Sequence, residues 1–180
     1  MNNQGKAKRI YLIISTALCA AIITVMTAVV KINLSANGEY IHLGDSMVYL
    51  SACILPMPYS LIAAALGGGL ADILTGAAVW APFTIVIKVL NALPFSLMYG
   101  LHITKNPDRL LNKAVAPIPV LSGIITVAGY LLAGGMLYSF AYSVTSVPLN
   151  IVQAVGNAIV YYLASAALDK IEFKKRIFNR

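Results

Sequence analysis

Residues 114–168 contain no Asp, Glu, Lys or Arg. One helix crossing a bilayer needs about 20 apolar residues, so this run has room for two crossings and a turn. Residues 10–30 are also free of charge and fit a single crossing. Residues 46–104 carry only Asp72 and Lys88 and have room for three short helices. Prolines divide these runs. Pro56, Pro58 and Pro82 disfavour a helical residue before them, and Pro82 and Pro148 are suited to the first turn of a helix. The pattern predicts an all-α integral membrane bundle of six transmembrane helices forming one domain over residues 1–180. The spans fall at about 10–30, 41–57, 58–78, 82–102, 115–141 and 148–168.

Composition agrees. The chain is 59% hydrophobic and 11% charged, with mean hydropathy +0.82. Soluble domains carry about a quarter charged residues, so a water-soluble or disordered protein is excluded. Cys19 and Cys53 lie inside apolar runs and read as small core residues. Lys6, Lys8 and Arg9 precede the first apolar stretch, which is too long for a signal-peptide core.

The distribution of basic residues sets the orientation. With six spans, both ends of the chain share one side. All of the 13 basic residues except Lys31 and Lys88 then share it too. Lysine and arginine favour the cytoplasmic side, so both termini are expected in the cytoplasm. The basic tail from Lys170 is expected at the anionic inner leaflet. No folded basic surface for nucleic acid is present in this pattern.

Enzyme motifs are missing. There is no phosphate-binding loop, no nucleophile elbow and no zinc-protease motif in the sequence. His42 and His102 are the two histidines, and no metal-ligand spacing surrounds them, so neither cofactor nor metal is expected. Gly67-Gly68-Gly69 lies within a span and reads as close helix packing.

The costly residues carry the functional signal, because an unpaired polar group in a membrane costs a few kcal/mol. Asp72 and Lys88 each lie about six residues, or roughly 9 Å, from the outer ends of adjoining helices. An Asp72–Lys88 contact is therefore feasible, either as a packing ion pair or with one or both groups meeting a ligand. Thr84, Lys88, Asn91 and Phe95 share one helical face. Asn150, Gln153, Asn157 and Tyr161 form a second row, and Ser122, Thr126 and Tyr130 a third. Tyr138 and Tyr142 read as interfacial aromatics. His42, Asp45 and Ser46 open the second helix, where capping explains part of their presence. Most of these groups fall in the outer half, which predicts a one-sided pocket rather than a through-going pore. A cation, amides and tyrosines suit a small, flat, polar molecule. Ala17, Ala20, Ala21, Thr24 and Ala28 make a small-residue face on the first helix, read from spacing mainly as internal packing.

These residues together resemble the substrate-binding S component of energy-coupling factor (ECF) vitamin transporters. The resemblance rests on Tyr40-Ile41-His42-Leu43-Gly44-Asp45 and on Gly69-Leu70-Ala71-Asp72-Ile73-Leu74-Thr75-Gly76. Ala81-Pro82-Phe83-Thr84 with Lys88, and Ala17-x-x-x-Ala21, add to it. It implies that Ala17 and Ala21 face a transmembrane T subunit and that two separate ATPase subunits drive import. It also implies that the first outer loop is a lid over a vitamin held against the fourth to sixth helices, in the cell membrane of a prokaryote.

The expected function is capture of a vitamin or small precursor, without catalysis. Lys88, Asn91, Tyr130, Asn150, Gln153 and Asn157 are the ligand candidates, with Asp45, Asp72 and His42 behind them. A tryptophan-lined thiamine site is disfavoured, since Trp80 is the single tryptophan, and a small pyridine or pyrimidine precursor is the preferred ligand. The rivals are a proton-coupled carrier with Asp72 as relay, and a membrane enzyme using Asp45 and His42.

Overall fold

A computed structural model describes residues 3–33, 40–101 and 108–178. Helices stand at all six expected positions: α1 (Asn3–Ala28), α2 (Gly44–Ile54), α3 (Tyr59–Leu74), α4 (Ala81–Gly100), α5 (Ile118–Leu137) and α7 (Val147–Lys170). Two short helices, α6 (Phe140–Thr145) and α8 (Phe173–Phe178), were not anticipated. Nor was the antiparallel pair β1 (Lys31–Asn33) and β2 (Tyr40–His42), in which Ile32 faces Ile41.

By length and composition, α1, α4, α5 and α7 can each cross a membrane, while α3 is a shorter apolar helix. The expected span 41–57 is corrected most. Its first residues pair as a strand, and α2 has only 11 residues. At 1.5 Å per residue that is about 16 Å, half a bilayer core. Nine of those residues are buried, because α2 sits among α1, α3, α4 and α7. The other helices follow one another around it, with α3 between α1 and α4, and α5 between α4 and α7.

The expected span 115–141 is also divided. Residues 115–117 form a turn, and α5 stops at Leu137. Ser139 then restarts the chain as α6, its Oγ accepting the Tyr142 N–H at 3.2 Å. That satisfies one of the free donors of a new helix start. At the other extreme α1 begins before the apolar run, since exposed Lys6, Lys8 and Arg9 extend the helix into a polar surrounding.

The glycine triplet packs as expected, and in two directions. A Cβ on Gly67 would lie 2.6 Å from Ile23 Cβ of α1, and one on Gly68 would lie 2.7 Å from Lys88 Cγ of α4. Adjacent glycines thus bring α1 and α4 against α3 together. Below, Tyr49 stacks on Phe95 with centroids 4.9 Å apart, and Tyr161 meets both edge-on at 5.9 and 5.3 Å. This aromatic plug joins α2, α4 and α7.

Exposed Lys6, Lys8, Arg9, Arg109, Lys113, Lys170, Lys175 and Arg176 lie at the end formed by the start of α1, the α4–α5 connection, the end of α7 and α8. Lys105, His102 and Arg180 lie outside the described residues. This half is more polar than expected. Asp169 accepts the Leu110 and Leu111 N–H groups at 2.8 and 3.0 Å, and Tyr161 donates to the Leu110 carbonyl at 3.0 Å. Tyr99 donates to the Arg109 carbonyl at 2.6 Å. These side chains satisfy loop backbone, a need that helical periodicity does not reveal.

Candidate functional site

A cavity of about 330 Å³ opens at the opposite end of the bundle. Six elements build it. Asp72 comes from the last turn of α3, Trp80 and Thr84 from the start of α4, and Tyr130 and Gly134 from the second half of α5. Tyr138, Tyr142 and Ser143 come from the α5–α6 corner, Asn150 and Gln153 from the first turns of α7, and His42 from β2. The size falls within the usual range for small-molecule pockets.

One wall is aromatic. Trp80 lies 6.1 Å from Tyr130 and 5.8 Å from Tyr138, and Tyr138 lies 5.4 Å from Tyr142, centroid to centroid. Spacings and tilts of this kind leave ring faces and edges for a flat guest. The corner is close because Gly134 has no side chain: a Cβ there would be 2.6 Å from Ser143 Oγ. Ser143 in turn donates to the Leu131 carbonyl at 2.7 Å.

Behind the lining residues Gln153 and His42 runs a polar network. Lys88 Nζ donates to Asp45 Oδ1, and neither side chain has exposed surface. Asp45 Oδ2 also accepts from Gln153 Nε2 at 3.4 Å, and Gln153 Oε1 accepts the His42 N–H at 3.3 Å. Asn157 accepts the Ser46 N–H at 2.8 Å and donates to the His42 carbonyl at 2.8 Å. Asn91 donates to Thr126 Oγ1 at 2.8 Å. Two charges and three amides are thus spent on joining α2, α4, α5 and α7.

The structure therefore divides the expected ligand residues. Tyr130, Asn150, Gln153, Asp72 and His42 line the cavity. Lys88, Asn91, Asn157 and Asp45 are fully buried and are not among its lining residues. Of the two roles left open for Asp72 and Lys88, the ion pair between them is not formed: Lys88 pairs with Asp45 of α2, which packs against both α4 and α7. Asp72 Oδ2 is buried with no hydrogen-bond partner. An acid–base pair of Asp45 and His42 is not assembled either. Asp45 is held by Lys88, and His42 Nδ1 accepts the Gly44 N–H at 3.2 Å. Sequence reasoning left Trp80, Ser143 and Ser146 out of the site and assigned Tyr138 and Tyr142 to the membrane interface. The available signal was three aromatics, Trp80, Tyr138 and Tyr142, near the ends of neighbouring spans.

On α1 the small-residue face splits. Ala20 and Thr24 are buried and Ala28 is half-buried, with Thr24 donating to the Gly67 carbonyl at 3.1 Å. Ala17 and Ala21 are exposed, which corrects the internal-packing reading for these two. The expected lid, residues 34–39, lies outside the described residues.

Residues 7–170 match a family described as ECF-type riboflavin transporter, S component. The chain belongs to this S-component family. A Pyrococcus woesei relative, described as an uncharacterized protein in gap 3'region, is 33% identical over 138 residues, covering 77% of this chain and 88% of the relative. S components are vitamin-binding transporter subunits that work with a T subunit and ATPases; the family is not one of enzymes. Membership and the apolar helices make this S component a multi-pass membrane protein. The family gives no support to a pyridine or pyrimidine ligand.

Proposed function

We propose that this S component captures riboflavin from outside the cell and delivers it to an energy-coupling module of one T subunit and two ATPases. The aromatic-walled cavity carries this reading. Trp80, Tyr130 and Tyr138 provide ring surface for a fused tricyclic guest, and Asn150 and Asp72 provide polar groups for its edge or side chain. The description of the matched family supports the choice of flavin over other vitamins.

The same reading has the chain cross a prokaryotic cell membrane six times as one domain, the second pass made by β2 and the short α2 together, with the basic end in the cytoplasm and the cavity outward. Exposed Ala17 and Ala21 form the face for the T subunit, since small side chains let another helix approach closely.

The single tryptophan supplies the test. Riboflavin bound beside Trp80 is expected to quench its emission saturably in the detergent-purified protein, with one ligand bound per chain by titration calorimetry. Unquenched emission together with no heat of binding would overturn the flavin assignment.

A further inference from the structure

We propose that Asp72 makes this cavity a charge filter, which admits the unphosphorylated vitamin and rejects its phosphate ester. The inference rests on the vitamin-binding reading, but on no particular vitamin. Lys88 and Asp45 neutralise each other behind the lining, with no side-chain surface exposed on either. His42 uses Nδ1 as an acceptor from Gly44, which corresponds to a neutral imidazole. No lysine or arginine lines the cavity among the described residues, and Lys31, on β1 at this end, is exposed and outside the lining.

Among the described residues Asp72 is then the one carboxylate of the lining, and Lys88 makes its ion pair with Asp45 instead. Asp72 is 7% exposed, and its Oδ2 has no hydrogen-bond partner. A buried oxygen in that state favours a ligand N–H or O–H, since leaving it unpaired costs the full desolvation of the group. A phosphate ester does the reverse: it brings up to two negative charges towards Asp72 and finds none of the guanidinium or ammonium groups that phosphate recognition uses. Like charges brought together at low dielectric discriminate strongly between otherwise similar ligands.

Three pairs test the filter by titration calorimetry on the purified protein: riboflavin and its 5'-phosphate, thiamine and its monophosphate, pyridoxine and its 5'-phosphate. The unphosphorylated member of the binding pair is expected to bind at least about tenfold tighter. Asp72→Asn is expected to narrow that ratio towards one, and Asp72→Glu to keep it. Damage to the fold would weaken both members alike and leave the ratio unchanged. Equal affinity for the ester in the wild-type protein overturns the filter, whether or not the variants fold. So does a ratio that survives Asp72→Asn in a variant whose thermal midpoint matches that of the wild-type protein. Failure of riboflavin alone, with another pair showing the ratio, removes the flavin assignment and leaves the filter standing. Failure of all six compounds removes both.

Discussion

Lys88 of α4 and Asp45 of α2 form an ion pair on which no side-chain surface is exposed. Removing one partner of such a pair leaves a buried charge uncompensated, which costs about 3–5 kcal/mol. Lys88→Met is therefore expected to lower the thermal midpoint of the detergent-solubilised protein sharply. The double variant Lys88→Met with Asp45→Asn is expected to recover much of the loss. A fully stable Lys88→Met protein would contradict a structural role for the pair.

Asn157 acts as a backbone partner for another segment. Its amide accepts the Ser46 N–H and donates to the His42 carbonyl, both at 2.8 Å, and so ties β2 and the start of α2 to α7. Asn157→Ala takes this partner from two buried backbone groups, at about 1–3 kcal/mol for each group left unpaired. The expected result is lower thermal stability, together with faster hydrogen exchange at Ser46 by mass spectrometry. Unchanged exchange in that peptide would show that the tie is dispensable.

Two glycines should respond in opposite ways. A Cβ on Gly67 meets Ile23 Cβ at 2.6 Å, so Gly67→Ala must push α1 from α3 at a cost of about 1–3 kcal/mol. Nothing lies within 4 Å of a Cβ on Gly156 in α7. Gly156→Ala should be neutral or stabilise by up to about 1 kcal/mol through helix propensity. Thermal unfolding of the two variants side by side checks the contrast.

Ala17 and Ala21 are exposed on α1, while Ala20 between them is buried. Ala17→Trp is expected to leave folding and ligand binding intact but to abolish co-purification with the coupling module and vitamin uptake. Ala20→Trp, pointing inward, is expected to destabilise the isolated subunit. Normal uptake by the Ala17→Trp variant would remove α1 from the partner face.

Much of this protein was legible in its sequence because the deciding signals are local. A charge-free run, a proline near a helix start and a basic cluster act within a few residues of themselves, and they located six helices and the basic end. Belonging to the S components was also legible, from short motifs and the Ala17–Ala21 spacing. The pairing of Lys88 with Asp45 and not Asp72 was not legible. Both carboxylates are compatible in spacing, and the choice depends on α2 standing between α4 and α7. The cavity lining escaped for the same reason: Trp80, Tyr138 and Tyr142 converge only because α5 ends at Leu137 and Ser139 starts a new helix. Sequence fixes which polar groups must leave the lipid. Only the packed bundle decides which of them satisfy one another and which remain for a ligand, because hydrogen-bond partners here lie more than 30 residues apart in the chain.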